Sequence, residues 1–333
     1  MKKVLITGIS GMVGSHLAEL LLSKTKWKII GMVRWNSKFD NINNILENKK
    51  LLLETADLTD SISINKLFKK HKPNLIFHLA AQTYPKVSFD NPLETYNTNI
   101  NGTTRILEAC KEYCPKSKIH VCSSSEVYGR VKKKDLPINE NVKFHPASPY
   151  AISKVGTDLV AQKYALSYGM NIFITRMFTH TGPRRTDFFH ESSFAKQIAL
   201  LEKSNKKKKE IFVGNLNSLR TYADVRDAVS AYYLLMKSKK TKKGDVFNIG
   251  GDKTCKVRET LNYLIKLSNL NNIIIRTDQK RMRPIDADLQ IPDTRKFNKI
   301  VKWKRKFSYS DTMLDLLNFW RDKINSSKYN IVR

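Results

Sequence analysis

Residues 4–22 read VLITGISGMVGSHLAELLL: a short apolar run, a turn with glycines at 8, 11 and 14, then leucines at helical spacing. Glycine tolerates positive φ and lets the backbone approach a ligand closely, so a strand passing through glycines into a helix builds a tight turn with outward-facing N–H groups. Those groups lie at the positive end of the helix dipole, where a pyrophosphate is stabilised. Three glycines alone are weak evidence, but these follow a strand, open a helix and begin a repeating series. The spacing therefore predicts a dinucleotide-binding turn rather than a plain tight turn, with Gly8, Ile9, Gly11, Met12 and Gly14 against the phosphates.

Further apolar, β-branched runs follow at WKIIGMV (27–33), LLLE (51–54), LIFHLAA (75–81), KIHVCSSS (118–125) and NIFITRMF (171–178), separated by helix-length amphipathic stretches. Alternation at this pitch means βαβ units and a parallel sheet covered on both faces. Two helix starts carry a capping residue and then a proline: Asn91-Pro92, opening a helix to about Glu112, and Ser148-Pro149, opening one to about Tyr168. After Arg176 the alternation loosens into Gly182-Pro183, a helix near 191–203, a strand at IFVG, a helix from about Val225 to Lys237, a strand at DVFNIGG and helical pieces beyond. The expected architecture is α/β: a doubly wound parallel Rossmann sheet with a smaller mixed α/β substrate-binding domain. Residues 1–177 are assigned to the dinucleotide-binding domain, to which segments around 215–250 return, and residues 178–333 to an interleaved substrate-binding domain.

With 333 residues, 41% hydrophobic and 10% aromatic, the chain can build a real core in one large or two joined domains. No run approaches the ~20 apolar residues that cross a bilayer, and the apolar part of MKKVLITGISG is too short for a signal peptide. Cys110, Cys114, Cys122 and Cys255 lack metal-ligand spacing, and Cys110 and Cys114 read as neighbours on one helix turn; reduced thiols and a cytoplasmic location are expected. The net charge of +30 invites a nucleic-acid or membrane reading. Its lysines are spread throughout, however, and the dense runs Lys206–Lys209 and KSKKTKK (237–243) fall in expected loops without interleaved aromatics. Solvated lysine is the expectation, with no specific nucleic acid, membrane or metal bound, and with a positive field that draws in anionic ligands.

The strand ends carry the chemistry. Arg34 ends the second strand where an NAD site holds an acidic residue for the ribose hydroxyls; a guanidinium there suits a 2′-phosphate, so NADP is expected over NAD. Asp57 and Leu58 follow the third strand, placed to hydrogen-bond and sandwich an adenine, although Asp57 could equally cap the next helix. Ala80 and Ala81 either leave the backbone open to the cofactor or merely pack strand on helix, and Gln82 beside them is assigned to the same surface.

Tyr150 and Lys154 are four apart just inside a helix, hence on one face. An ammonium near a phenol favours the phenolate, which can accept a hydroxyl proton as hydride leaves the same carbon; both residues are also assigned to cofactor contact. An isolated Y-x-x-x-K is common by chance, but here the fifth strand ends in Ser123-Ser124-Ser125-Glu126-Val127-Tyr128-Gly129, at the sheet edge where open α/β folds bind ligands. Glu126 adds a carboxylate that can remove a proton made acidic by a neighbouring ketone, or else caps a turn.

Together TGISGMVGSHLAELLL, MVRWNSKF, DLTDS, HLAAQTYPKVSFD, SSSEVYG, SPYAISK, THTGPRR, VGNLNSLRTYADVRDAV and RPIDADLQ resemble the extended branch of the short-chain dehydrogenase/reductase family, and more closely its GDP-mannose 4,6-dehydratases. The resemblance covers nearly the whole chain. It implies that Ser124 is the active-site hydroxyl, where these dehydratases usually carry threonine, with Glu126, Tyr150 and Lys154 as the other catalytic residues. It assigns His180 and Arg185 to the cofactor, and Ser124, Arg220 and Arg283 to a GDP-sugar substrate. The implied reaction oxidises C4 of the sugar, eliminates water across C5 and C6, and returns the hydride to C6. It also implies a homodimer or homotetramer, paired through helices flanking the sheet. QTYPKVSFDNP, SPYAISKVG and THTGPRRTDFF also resemble the sibling GDP-4-keto-6-deoxymannose reductase, while Glu126, Arg184-Arg185 and RPIDADLQ favour the dehydratase; 4-epimerases and decarboxylases of the superfamily can also carry a serine and glutamate after that strand. A basic nucleic-acid-binding Rossmann protein is the rival outside enzymes; it would need none of these four residues.

Overall fold

Every position of β1 (Lys3–Thr7) from Val4 onward is buried, which is why its sequence is continuously apolar instead of alternating. The structure is a computed structural model and describes residues 1–204, 208–285, 287 and 289–326. Beside β1 lie β2 (Lys28–Val33) and β3 (Leu51–Thr55) on one side, and β4 (Leu75–His78), β5 (Lys118–Cys122) and β6 (Asn171–Met177) on the other, all parallel. The chain then forms β7 (His180–Thr181), β8 (Lys209–Val213) and β9 (Leu219–Asp224) elsewhere before returning as β10 (Asp245–Ile249), parallel to β6. The seven-stranded order is β10-β6-β5-β4-β1-β2-β3. Its direction reverses between β1 and β4, and that reversal opens a crevice at the carboxyl ends of the strands.

Helices cover both faces. On one, Leu17 and Leu21 of α1 (Met12–Lys24) and Ala228, Tyr232 and Leu235 of α8 (Val225–Lys237) share a core with the sheet. On the other, α2 (Ser61–His71), α5 (Gly102–Tyr113) and α6 (Pro149–Ser167) contribute Phe68, Ile106 and Ala161. Between α2 and α5 run the short α3 (Pro85–Asp90) and α4 (Pro92–Tyr96). This is the doubly wound parallel sheet expected from the strand-helix alternation.

A separate core lies between α7 (His190–Lys203), α9 (Val257–Lys266) and α11 (Tyr309–Asn325), with Phe194, Leu261 and Trp320 at its centre. Over it, β9 pairs antiparallel with β11 (Lys253–Lys256) and parallel with β13 (Leu289–Gln290), while β8 pairs parallel with β12 (Ile273–Thr277). The helix α10 (Arg295–Ile300) lies beyond.

Local differences from the sequence expectations have physical causes. Strand β4 stops at His78, because the N–H groups of Leu79 and Ala80 both donate to Thr7 Oγ1 at 3.0 Å. Ser148 caps α6 as anticipated, accepting from the Ala151 N–H. The helix opened by Asn91 is not continuous: a π-helical turn, Asn97–Asn101, separates α4 from α5. Lys208 pairs with Glu210 at 3.1 Å and Lys209 opens β8, while Lys206 and Lys207 of the same run, like Asp286 and Asp288 of RPIDADLQ, lie outside the described residues. The Cys110 and Cys114 sulfurs are 3.7 Å apart, and all four cysteines are free. No helix among the described residues is long and apolar enough to cross a membrane.

Burial also sets the acid limit of the fold. Desolvation pushes His78 and His120, both on central strands, down to about 3, and His16 on α1 down to about 4. These imidazoles are neutral when folded, whereas the unfolded chain binds their protons first, near 6.5. Stability present at neutral pH is therefore lost progressively as pH falls from about 6.5 toward 3. The urea unfolding midpoint is expected to fall steeply over that window, with His120→Gln removing part of the slope; a midpoint independent of pH would contradict the assignment.

Candidate active site

The turn after β1 is built for a phosphate. Gly8 has φ +72°, and a Cβ there would come within 3.0 Å of Ala80 N and Cα; one on Gly14 would lie 2.2 Å from Gly8 O. Gly11 precedes α1 with no side-chain cap and no acidic residue in the first turn, so the helix start offers N–H groups to an anion. Ile9 and Met12 bury their side chains, leaving only their backbone toward the crevice. These residues fit the diphosphate of a dinucleotide.

The other expected cofactor contacts line the neighbouring strand ends. Arg34 is exposed after β2, its N–H donating to Ser37 Oγ at 2.8 Å. Asp57 does not cap α2: Asp60 does, accepting from the Ile62 and Ser63 N–H groups. The Asp57 carboxylate instead accepts from Thr59 N–H and hydroxyl, both at 2.8 Å. Leu58 is buried against Gly102, where a Cβ would meet it at 2.8 Å. Ala80 and Ala81 are half-buried beside Gly8. The Gln82 amide is engaged in its own turn, donating to Tyr84 O at 3.2 Å and Thr95 Oγ1 at 3.1 Å.

At the end of β5, Ser124 caps a short 3-10 turn (Ser125–Tyr128), its Oγ accepting the Glu126 N–H at 3.2 Å. The serine, not the glutamate, is thus the cap, and the Glu126 carboxylate lies 4.0 Å from the Arg283 guanidinium. Tyr150 is buried in the first turn of α6, and its backbone N–H donates to Ser88 Oγ at 2.9 Å. Burial pushes its phenol well above the usual range and the Glu126 charge adds to this; a hydrogen bond with Ser124 and the Arg185 charge act in the opposite sense. Lys154, buried, donates to Cys122 O at 2.6 Å, and desolvation lowers its pKa. The lysine is therefore fastened to the strand end, and Arg185 is the cation whose field acts on the phenol.

Arg185 lies 3.4 Å from the buried carboxylate of Glu191, with its guanidinium 3.3 Å over the Phe189 ring. His180 is held neutral, pushed down to about 4 by burial and then by Arg185. Arg220 is buried and donates to Leu219 O and Ala287 O at 3.0 and 2.5 Å. Burial lowers the His190 pKa to about 4, and the charges of Arg220, Arg283 and Arg185 act in the same direction.

Sequence reasoning missed Asn99, Ser88 and Glu191. The Asn99 amide, buried in the π-helical turn, donates to Gln82 O at 2.9 Å and Ser153 Oγ at 2.8 Å, tying the end of β4 to α6. An asparagine inside a helical stretch was a visible signal, since such side chains compete with helical hydrogen bonding. Glu191 had none beyond being acidic in a basic chain.

A family model described as GDP-mannose 4,6 dehydratase matches residues 5–316. The chain is 31% identical to the GDP-mannose 4,6 dehydratase of Drosophila melanogaster, over 95% of this chain and 85% of that one. It is 28% identical to the GDP-6-deoxy-D-mannose reductase of Pseudomonas aeruginosa, over 97% and 98%. A solved structure of RMD from Pseudomonas aeruginosa complexed with NADPH superposes with TM-score 0.82 at 26% identity, over 97% of this chain and 100% of that one. Fold, glycine turn and neighbours define a short-chain dehydrogenase/reductase built for a nicotinamide dinucleotide. Within that class, the chain belongs to the GDP-mannose 4,6-dehydratase family.

Gly14→Ala tests the phosphate turn. Overpacking against Gly8 O should weaken dinucleotide binding by roughly tenfold or more, a cost of about 1–3 kcal/mol. Unchanged affinity by fluorescence titration would remove the turn from the cofactor site.

Proposed function

We propose that the protein is an NADP-dependent lyase, a 4,6-dehydratase that converts GDP-mannose or a related GDP-sugar into the GDP-4-keto-6-deoxy sugar and water. The observation that carries this reading is Glu126, set two residues beyond Ser124 after β5, 4.0 Å from Arg283 and with its charge acting on the Tyr150 phenol. Oxidising or reducing a sugar carbon needs only the hydroxyl, the phenol and the lysine; elimination needs a second base.

When bound, the nicotinamide accepts a hydride from the sugar and gives it back. Tyr150 takes the O4 proton while Ser124 donates a hydrogen bond to the oxygen that becomes a carbonyl. The ketone acidifies the hydrogen on C5. Glu126 removes it and passes a proton to the departing C6 oxygen, which leaves as water. Lys154 is anchored on Cys122 O, and Arg185 supplies the positive charge that favours the ionised phenol. As the hydride returns to C6, a proton equivalent to the one Tyr150 took from O4 is delivered to C5, which restores the phenolate; no net redox change occurs, and the dinucleotide is recycled in place.

The substrate diphosphate is assigned to Arg220 and Arg283, whose forked donors suit it. Arg34, exposed after β2, is assigned to the 2′-phosphate that separates NADP from NAD. The expected location is the cytoplasm. Pairing of two copies is assigned to the outer face of α6, where Ile152, Leu159 and Leu166 stand exposed at seven-residue intervals beside Leu93. In favour of the domain division at residue 177 stand α8 and β10, within the expected 215–250 return, on the main sheet and the separate core around α7 and α11, whereas β9 (Leu219–Asp224) pairs in the smaller sheet.

Purified protein with GDP-mannose and a trace of NADP should yield a 4-keto-6-deoxy product by NMR. Consumption of NADPH on a keto sugar would favour the sibling reductase, to which the Pseudomonas relative belongs. Glu126→Gln should lower turnover by about two to four orders of magnitude, the usual worth of a general base, while reversible C4 oxidation persists. Full activity in that variant would end the dehydratase reading. Arg34→Ala should weaken NADP and leave NAD binding unchanged; equal affinities in the parent protein would refute the 2′-phosphate assignment.

A further inference from the structure

Beside the site described above stand aromatic side chains to which the reaction assigns no role. Tyr84, in the turn after β4, packs its ring 4.6 Å from Phe188 and 5.7 Å from Phe189. Phe189 carries the Arg185 guanidinium on its face, yet Phe188 next to it is 70% exposed. A large exposed aromatic is unremarkable on a loose loop tip, but this one is braced. Arg184, with φ +71°, bonds Ser15 Oγ at 3.1 Å and Glu19 at 2.6 Å; Ser192 Oγ donates to Arg185 O at 2.7 Å; Asp187 pairs with Lys196 at 2.6 Å. Tyr84 is equally fixed, its carbonyl accepting from the Gln82 amide and its chain continuing through Pro85 into α3.

The position of this wall is set by two connections. Ser88, one turn along α3 from Tyr84, accepts the backbone N–H of Tyr150 at 2.9 Å. Arg185 sits 3.3 Å over the face of Phe189, whose ring is 5.7 Å from Tyr84, and the charges of Arg185 and the Tyr84 and Tyr150 phenols influence one another. An exposed, braced aromatic surface thus stands one helical turn from the segment that carries the reacting phenol, with a guanidinium on the neighbouring Phe189 ring. A ligand that meets Tyr150 through one hydroxyl and lies against this wall presents a ring with a C–H face, which complements the electron-rich face of an aromatic ring.

We propose that Phe188 and Tyr84 form a stacking platform for the pyranose ring of the nucleotide sugar, a subsite that reads the sugar half of the substrate and not its nucleoside diphosphate. The platform rests on the GDP-sugar reading of the site, but its test is equilibrium binding, which does not depend on turnover. It binds ground state and transition state alike, so its loss raises KM and leaves kcat unchanged.

Isothermal titration calorimetry with NADP-loaded protein compares GDP-mannose and GDP on the parent chain, Phe188→Ala and Phe188→Tyr. Phe188→Ala should weaken GDP-mannose by roughly three- to tenfold, the worth of one aromatic contact, and leave GDP unchanged. Phe188→Tyr should restore GDP-mannose affinity. Unchanged GDP-mannose affinity in Phe188→Ala overturns the platform, and equal weakening of GDP overturns its assignment to the sugar. If the parent chain binds GDP-mannose with the expected sensitivity yet fails to dehydrate it, the platform stands and the dehydratase reading falls. Absence of binding to any GDP-sugar overturns both.

Discussion

The ion pair between Arg176 on β6 and Asp158 on α6 holds the site together. Two hydrogen bonds of 2.8 and 3.1 Å join them, and neither side chain is more than 4% exposed. Burying two charges costs several kcal/mol per ion unless geometry and further hydrogen bonds compensate. Here Arg176 also donates to Tyr128 Oη at 3.0 Å and Glu140 O at 2.9 Å, and Tyr128 Oη in turn donates to Asn248 on β10 at 2.7 Å. One guanidinium therefore locks α6, which carries Tyr150 and Lys154, to the turn that carries Ser124 and Glu126, and to the last strand of the sheet. The groups proposed to react come from separate segments, and their spacing is only as good as this clamp.

A second layer of buried polar contacts tunes what the clamp positions. The phenol of Tyr150 is pushed up by desolvation, so the role of base proposed for it near neutral pH requires positive charge nearby. Arg185 supplies it while itself destabilised by burial, and Glu191 compensates it from beneath at 3.4 Å. Among the described residues neither Glu191 carboxylate oxygen meets a full hydrogen bond, although Arg185 Nε lies at 3.4 Å and His190 Nδ1 at 3.3 Å. Such a half-satisfied buried pair is a poor device for stability and fits a site where energy is spent on function.

The fold was legible because its signals are local. Gly8, Gly11 and Gly14 answer to backbone geometry within one turn, continuous apolar runs answer to a sheet covered on both faces, and Ser148-Pro149 starts α6 where expected. Tyr150, Lys154, Ser124 and Glu126 were legible as candidates because their spacing along helix and strand end is also local. What was not legible arises between distant segments. The π-helical turn at Asn97–Asn101 exists because Asn99 reaches across to Gln82 and Ser153, and the capture of Lys154 by Cys122 O depends on the packing of α6 on β5. The bracing of residues 184–189 by α1 and α7 had no trace in the local sequence at all.

The net charge of +30 gains a simple place in this account: dinucleotide and nucleotide sugar are both anionic, and a positive field raises their local concentration. The central claim is that one cavity oxidises, dehydrates and reduces the same sugar without releasing its hydride. GDP-mannose deuterated at C4 tests it directly. The account predicts a 4-keto-6-deoxy product with the deuterium at C6 and none in free NADPH; deuterium lost to the solution NADPH pool, or retained at C4, would contradict it.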